Sequence, residues 1–235
     1  MPARPRVWQD EVLRHVQQRF DSHFERDGPL RRVLDAGAGD EMPLDIPLTA
    51  HLVAVDQSQE ALDRNENADE KIVADLQTHE FPPQSFDAAI CWWVLEHVPK
   101  PQAVIERLSS SVRPGGLIVI GVPYLWGFKA MVTKATPYRF HIWLARRADP
   151  SAGTAGRGPF PTYLKSDIAP RSLRSLASEH SLSLIYEKAH SMEPERILPR
   201  PLRFVWKLSG RILEVATAGR YNPLLSEYVA VFVKL

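Results

Sequence analysis

The residues best suited to chemistry in this chain are a glycine-rich turn and an acid that follows it. The apolar run that ends at Asp35 breaks into Ala36-Gly37-Ala38-Gly39, which predicts a buried strand that turns sharply. Glycine suits this turn because its backbone can adopt positive φ and a ligand can approach without meeting a Cβ. Asp56 closes a second apolar run, so its carboxylate is expected at the carboxyl end of the neighbouring strand. There it could bind both hydroxyls of a ribose, which predicts a cofactor that contains a nucleoside.

The residues after the turn distinguish between two classes of nucleoside cofactor. A dinucleotide-binding turn normally has a third glycine, which lets the following helix pack close to the strand. Met42 takes that position here, and the acidic residues Asp40 and Glu41 precede it. Two carboxylates would repel a pyrophosphate, whereas they are compatible with the ammonium and sulfonium groups of S-adenosylmethionine. The turn therefore favours S-adenosylmethionine over a dinucleotide.

The elements that must position these residues form an alternating pattern. Apolar segments typical of buried strands are separated by helical patterns at residues 57–67 and 101–112, which predicts a parallel sheet covered on both faces. The predicted strands of this part are residues 32–35, 51–56, 71–75, 86–92 and 116–122. Arg113-Pro114-Gly115-Gly116 is expected to turn the chain from helix to strand. A helix from Trp8 to Phe24 is expected before the first strand, and the later elements are a helix at 166–180 and strands at 181–189 and 227–234.

These motifs occur in an order that resembles the class I S-adenosylmethionine-dependent methyltransferases, within the small-molecule group that includes the ubiquinone and menaquinone methyltransferases. The resemblance covers roughly residues 30–122. The other motifs on which it depends are Asp75-Leu76, Leu95-Glu96-His97-Val98 and Arg113-Pro114-Gly115-Gly116. It implies an α/β, Rossmann-like sheet of seven strands with helices on both faces and an antiparallel last strand. It also implies one domain, with an N-terminal helix (1–29), a cofactor-binding core (30–122), lid insertions on the substrate side (123–165 and 191–222) and a final strand (223–235).

The resemblance also assigns cofactor-binding roles to individual residues of this chain. Asp35, Gly37 and Gly39 would line the methionine end, Asp56 with Gln57 would hold the ribose, Asp75 and Leu76 would cover the adenine, and Trp92 would lie beside the methionine moiety. Glu41 departs from the family's pattern, which has a third small residue there. The assignment makes S-adenosylmethionine the expected cofactor.

The acceptor side is expected in the aromatic-rich insertion. Methyl transfer is an in-line displacement, so an enzyme accelerates it mainly by aligning the nucleophile, the methyl group and the sulfur. A base helps only where the nucleophile must lose a proton. His97 and His141 are the candidate bases, although His97 could be a structural residue and His141 part of a packed lid. Tyr124, Trp126, Tyr138, His141 and Tyr163 are the candidate substrate-binding residues, because apolar walls with a few polar groups suit an organic acceptor.

Composition excludes several other classes. The chain has 235 residues, a formal net charge of +1 and one cysteine, which predicts a single α/β domain in a reducing compartment with no nucleic-acid partner. No two histidines stand three or four positions apart, so no metal site is expected. The N-terminus has no apolar signal region, and the longest apolar run, from Gly116 to Phe128, is too short to span a bilayer. A cytoplasmic protein is therefore predicted.

Residues 200–216 are compatible with a different kind of partner. Arg200, Arg203, Lys207 and Arg211 share one stripe of a predicted helix, and apolar residues cover the opposite side. Such a helix could lie on an anionic membrane surface. It could equally be a lid helix packed on the body of the protein, with its basic side in water.

The prediction from the sequence is thus a methyltransferase that acts on a small or medium organic acceptor at oxygen, carbon or nitrogen. Residues 130–165 and 191–222 loosely resemble a bacterial subgroup associated with secondary metabolites or cell-envelope saccharides, so a saccharide or lipid-linked precursor is included. One alternative is a nicotinamide-dependent Rossmann oxidoreductase, but its Tyr-x-x-x-Lys pair is absent, since Tyr221 is followed by Leu225. Another alternative is a binding module that has the methyltransferase fold but no activity. The three intact acids Asp35, Asp56 and Asp75 argue against it.

Overall fold

Seven strands form one sheet in the computed structural model, which describes residues 11–39, 42–147, 150, 152–153, 158–191, 200–218 and 221–235. The strands are β1 (Arg32–Ala36), β2 (His51–Asp56), β3 (Glu70–Val73), β4 (Phe86–Trp92), β5 (Val112–Pro123), β6 (Leu182–His190) and β7 (Glu227–Lys234). Their order across the sheet is β3-β2-β1-β4-β5-β7-β6. The first five strands are mutually parallel, and β7 runs antiparallel between β5 and β6. The prediction of a seven-stranded sheet with an antiparallel last strand is confirmed.

Helices cover both faces of the sheet, as predicted. The helices are α1 (Glu11–Asp27), α2 (Gln59–Arg64), α3 (Pro101–Ser111), α4 (Phe128–Ala135), α5 (Tyr138–Ala145), α6 (Pro170–Glu179) and α7 (Arg200–Ala216), with 3₁₀ turns at Leu95–His97 and Ser166–Ile168. Val33 of β1 packs in one hydrophobic cluster with α1, and Leu34 packs in another with α3 and α6. Successive strand residues point to opposite faces, so the apolar run of β1 serves both clusters.

Some details differ from the expectations, and some predicted residues fall outside the described residues. β3 ends at Val73, so Asp75 lies in the loop that follows the strand. Arg113-Pro114-Gly115-Gly116 belongs to β5, where the pairing with β4 shifts register and Gly115 has a φ of 78°. The predicted turn is thus an irregular strand segment. Trp8, the acids Asp40 and Glu41, and residues 192–199 of the second insertion lie outside the described residues.

The predicted insertions carry helices. Residues 123–165 contain α4 and α5, and residues 191–222 contain α7. Among the helices that the structure describes, none is both long enough and apolar enough to cross a membrane.

Candidate active site

The glycine turn lies between the carboxyl ends of β1 and β2. The backbone N–H groups of Gly37 and Ala38 both donate to the carbonyl oxygen of Val55, at 2.7 and 3.0 Å. Gly37 and Gly39 have φ angles of 79° and 51°, in the left-handed region that favours glycine. A Cβ at Gly37 would overlap the side chain of Val94, whereas a Cβ at Gly39 would meet no atom within 4 Å. Gly37 is therefore required for close packing as well as for backbone conformation.

Asp56 is held by the backbone on both sides of its carboxylate. Its Oδ2 accepts a hydrogen bond from the N–H of Gly39 at 3.0 Å, and its Oδ1 accepts one from the N–H of Ser58 at 2.8 Å. An ionised carboxylate has about four lone-pair sites, so further acceptor positions remain for ligand hydroxyls. The geometry fixes this carboxylate where the sequence predicts a ribose.

A cavity of about 800 Å³ opens beside this turn. Five of the predicted cofactor residues line it, namely Gly37, Gly39, Asp56, Gln57 and Leu76. Its volume suits a ligand of the size of a nucleoside cofactor. Among the described lining residues the charged side chains are Asp56 and Glu60, with no Lys or Arg. An acidic wall would repel phosphate groups and attract a sulfonium or an ammonium group, so these residues fit S-adenosylmethionine better than a dinucleotide.

Three predicted cofactor residues do not line this cavity. Asp35 is buried within β1. The carboxylate of Asp75 accepts hydrogen bonds from the backbone N–H and the Nε2 of Gln77, at 2.9 and 3.1 Å, while its neighbours Ala74 and Leu76 form the wall. The ring of Trp92 packs against the backbone of Gly121, in the hydrophobic cluster that includes α1.

Trp93 lies at the cavity in the place expected for Trp92. Adjacent residues at the end of a strand point in opposite directions, so a shift of one residue exchanges a core position for a ligand-facing one. Trp93 also has a φ of 54°, a conformation that is uncommon for a bulky residue. The two aromatic residues at the end of β4 were the sequence signal, but the sequence did not show which of them lines the cavity.

A second cavity, of about 210 Å³, shares Trp93 and His97 with the first. It is also lined by Glu96, Lys129 and Glu227, none of which was predicted from the sequence as a site residue. The buried carboxylate of Glu227 accepts from the Nε1 of Trp93 at 2.8 Å and from the Nζ of Lys129 at 2.6 Å. The charge of Glu227 is therefore balanced within the wall of the cavity.

His97 is fixed as a neutral imidazole with one acceptor nitrogen. Its Nδ1 is 2.8 Å from the carbonyl oxygen of Pro161, which can only accept, so Nδ1 carries the proton and donates. Burial lowers the pKa of His97 below its usual value, and the hydrogen bond to Pro161 opposes that shift. The ring is thus uncharged at neutral pH, and its Nε2 can accept a proton.

Glu96 is a buried acid beside this imidazole. Its side-chain Oε1 is 3.8 Å from the Nε2 of His97. Burial raises the pKa of Glu96 to about 8; its own backbone N–H and Lys129 act against this shift, and the charge of Glu227 adds to it. Glu96 is therefore mostly protonated at neutral pH. Its place in the Leu95-Glu96-His97-Val98 motif was the sequence signal for it.

The predicted substrate residues are mostly elsewhere. Tyr163 lines the larger cavity, whereas Tyr124, Trp126, Tyr138 and His141 line neither of the two cavities. The Nε2 of His141, in α5, is hydrogen-bonded to the hydroxyl of Thr136, in the segment that joins α4 to α5. The hydroxyl of Tyr138 donates to the carbonyl oxygen of Pro159 at 2.9 Å. His97 is therefore the predicted base that the structure places at both cavities, and His141 is not.

Comparisons with known proteins agree with this geometry. The family described as "Methyltransferase domain" matches residues 34–120. A ubiquinone biosynthesis O-methyltransferase from Paraburkholderia phymatum is 36% identical over 111 residues, which are 42% of this chain and 46% of that protein. A protein of the same name from Paraburkholderia phytofirmans is 30% identical over 170 residues, 66% of this chain and 69% of that protein. The chain thus matches less than half of the first relative's length and more than two thirds of the second's.

A solved structure shares the fold over nearly its whole length. It is a SAM-dependent methyltransferase from Archaeoglobus fulgidus, with a TM-score of 0.56 and 14% sequence identity, and the match covers 94% of each chain. At this identity the similarity concerns the architecture of the sheet and its helices.

Proposed function

The chain belongs to the class I S-adenosylmethionine-dependent methyltransferases, and we propose that it methylates a hydroxyl group of a small or medium organic acceptor. The observation that carries this proposal is the position of His97. Its neutral ring lies at the junction of the two cavities and offers an unprotonated Nε2. A hydroxyl nucleophile must lose a proton, so a base placed there suits an oxygen acceptor. The relatives named as ubiquinone biosynthesis O-methyltransferases support the same chemistry.

The larger cavity would hold the cofactor. Asp56 and Gln57 would bind the ribose hydroxyls, and Leu76 would pack on the adenine. The backbone of Gly37 and Gly39 would lie along the methionine end. We assign the aromatic contact near the reacting methyl group to Trp93, in place of Trp92, because Trp93 lines both cavities.

The chain's own contribution to the reaction is to orient the acceptor and to take its proton. When bound, S-adenosylmethionine would supply an electrophilic methyl group, and its transfer to the acceptor oxygen would leave the electron pair of the broken carbon–sulfur bond on sulfur. His97 Nε2 takes the proton of the acceptor hydroxyl, and its Nδ1–H remains bonded to the carbonyl of Pro161. Binding of the cofactor and the acceptor in adjoining cavities would align the methyl group with the acceptor oxygen. In well-oriented reactions such alignment can lower the activation free energy by roughly 7–11 kcal/mol.

Calorimetry with S-adenosylhomocysteine and, separately, with NADH tests the cofactor. We expect S-adenosylhomocysteine to bind and NADH to bind weakly or not at all, because the acidic cavity wall disfavours a pyrophosphate. Binding of NADH alone would favour the oxidoreductase alternative and overturn the proposal. Binding of S-adenosylhomocysteine together with no methyl transfer to any of a panel of phenols, alcohols and amines would favour a binding module.

We also propose that α7 contacts an anionic lipid surface. Trp206 packs on Phe128, with ring centroids 4.8 Å apart, and Gly210 is in close contact with Leu224, so this side of the helix faces the protein. Another side is solvent-exposed and apolar, with relative exposures of 47% to 80% at Phe204, Val205, Leu208, Ile212 and Val215. Lys207 and Arg211 are exposed on the same helix. The side chains of Arg200 and Arg203 lie outside the described residues.

An apolar surface accompanied by cations can insert shallowly into anionic lipid. Co-sedimentation with phosphatidylglycerol vesicles, and with pure phosphatidylcholine vesicles as a control, tests this contact. Binding to the anionic vesicles should weaken in a Lys207→Glu/Arg211→Glu variant and in a Phe204→Ser/Ile212→Ser variant. A matched Lys71→Glu/Lys188→Glu variant, with both changes at exposed lysines of β3 and β6 outside α7, should bind like the wild type. If the wild type stays in the supernatant, the lipid contact is excluded and α7 is a lid.

A further inference from the structure

Glu96 is a buried acid whose side chain is not satisfied by the described protein residues. Its relative exposure is 3%. Oε2 has no hydrogen-bond partner among the residues that the structure describes. The Oε1 to His97 Nε2 distance of 3.8 Å is too long for a direct hydrogen bond. A carboxyl group this deeply buried is stabilised by each hydrogen bond that it gains, so a ligand that reaches Oε1 beside His97 would bind favourably there.

The separation of these two atoms fits one bridging oxygen. An oxygen can lie about 2.8 Å from each of two atoms that are 3.8 Å apart, which are ordinary hydrogen-bond distances. Nε2 of His97 is an acceptor, so the bridging group must donate to it. Protonated Glu96 can donate, so the same group must also accept.

These requirements select a hydroxyl group among the common nucleophiles. A hydroxyl oxygen donates its proton to His97, accepts from Glu96 with one lone pair and keeps a second lone pair for the methyl carbon. A neutral amine has a single lone pair, which cannot both accept from Glu96 and attack. An ammonium group has no lone pair at all.

The charges around Glu96 favour an uncharged acceptor. The groups that face it are Glu227 on β7, Lys129 on α4, His97 in the same turn and Cys91 on β4. Glu227 and Lys129 form an ion pair, so their charges cancel. His97 is neutral and Cys91 is a buried thiol, so this end of the cavity has little net charge at neutral pH.

The size of the smaller cavity limits what can carry the hydroxyl. Its volume is about 210 Å³, and Trp93, Pro123 and Leu164 contribute apolar walls. An apolar protein cavity of about 150 Å³ accommodates benzene. One substituted aromatic ring therefore fits, while a larger acceptor would have to extend out of the cavity.

We infer that Glu96 and His97 together bind the reacting hydroxyl of the acceptor, and that the smaller cavity encloses the compact ring that carries this hydroxyl. Glu96 is then an acceptor-binding residue that positions the oxygen, and His97 takes its proton. The inference rests on the proposed function, because it assigns the acceptor of that reaction.

Binding of phenol to the protein saturated with S-adenosylhomocysteine tests the inference without relying on turnover. We would first measure the affinity for S-adenosylhomocysteine by calorimetry in the wild type, Glu96→Gln, Glu96→Leu and, as a matched control, Glu106→Gln at an exposed position of α3. Phenol and toluene would then be titrated by saturation-transfer NMR.

We expect phenol to bind the wild type, Glu106→Gln and Glu96→Gln with similar affinity, because the amide of glutamine can still donate. Phenol should bind Glu96→Leu about tenfold more weakly, the usual effect of losing one hydrogen bond. Toluene should bind Glu96→Leu at least as well as the wild type, which would show that the cavity is intact. Between pH 7 and 9 the affinity for phenol should fall in the wild type and stay level in Glu96→Gln.

Two outcomes separate this inference from the proposed function. If no variant binds S-adenosylhomocysteine, the proposed function fails and the acceptor assignment fails with it. If S-adenosylhomocysteine binds, but phenol does not bind or does not distinguish Glu96→Leu from the wild type, only the role of Glu96 is overturned.

Discussion

The two cavities are built in different ways, although they meet at Trp93 and His97. The larger cavity takes its glycine turn, Asp56 and Leu76 from the ends of three parallel strands, each at a short motif. The smaller cavity brings Glu96, Lys129 and Glu227 together from a 3₁₀ turn, a helix of the first insertion and the last strand. The cofactor side is thus a product of sheet topology, whereas the acceptor side depends on how the insertions pack.

Replacement of His97 should separate the two sides most clearly. In His97→Ala we expect turnover of a phenolic acceptor to fall by about 10²–10⁴-fold, the usual contribution of a positioned base. Affinity for S-adenosylhomocysteine should change little, because Asp56 and the glycine turn are untouched. Steady-state kinetics and calorimetry on the same samples provide the measurement. His141→Ala serves as the control, and an equal loss of turnover there would contradict the assignment of the base.

Glycine substitutions probe the packing of the cofactor side. Gly37→Ala should destabilise the protein by about 1–3 kcal/mol through its positive φ, with a further loss from the overlap of Cβ with Val94. Gly39→Ala shares the positive φ but meets open space, so its unfolding temperature should fall less. Thermal unfolding compares the two. A Gly37→Ala/Val94→Ala variant should recover part of the loss, and equal shifts in the two single variants would show that packing against Val94 is unimportant.

Replacement of Asp56 tests whether this residue binds the ribose. Asp56→Ala should weaken binding of S-adenosylhomocysteine by about 1.5–3 kcal/mol, as expected for lost charge-assisted hydrogen bonds. Asp75→Ala is the informative comparison, because the carboxylate of Asp75 is already bonded to Gln77 and does not line the cavity. We expect a smaller effect there, measured by calorimetry. An unchanged dissociation constant in Asp56→Ala would mean that the ribose lies elsewhere.

The pH dependence of stability concerns the smaller cavity alone. The pKa of Glu96 in the folded protein, about 8, is above the ordinary pKa of a glutamic acid side chain in water, 4.5. Between these values the folded state holds a proton that the unfolded state has released, so rising pH should lower the free energy of unfolding by up to about 1.4 kcal/mol per pH unit. Glu96→Gln should lack this contribution. Chemical denaturation of both proteins at pH 5, 6, 7 and 8 measures the difference, and parallel curves would contradict the burial of a protonated Glu96.

The differences between the predicted site residues and the residues that line the cavities follow from the limits of local patterns. The apolar runs and the glycine turn located β1, β2 and β4, and with them Gly37, Gly39 and Asp56. The same patterns placed Trp92 at the ligand, because a run of apolar residues does not show on which side a strand ends. His141 was chosen for its residue type within an aromatic insertion, and nothing in its neighbourhood in the sequence indicated its bond to Thr136.

The amino-acid sequence by itself determined the positions of the strands along the chain, the cofactor class and the acid at the end of β2. These depend on short stretches in which residue type and backbone geometry are directly linked, as with glycine at positive φ or a carboxylate at the end of a strand. Only the tertiary structure decided that Glu96, Lys129 and Glu227 share one cavity and that Trp93 is the tryptophan beside it. The physical reason is that these contacts join segments up to 134 positions apart, and burial and charge pairing at such distances arise only when the chain has packed.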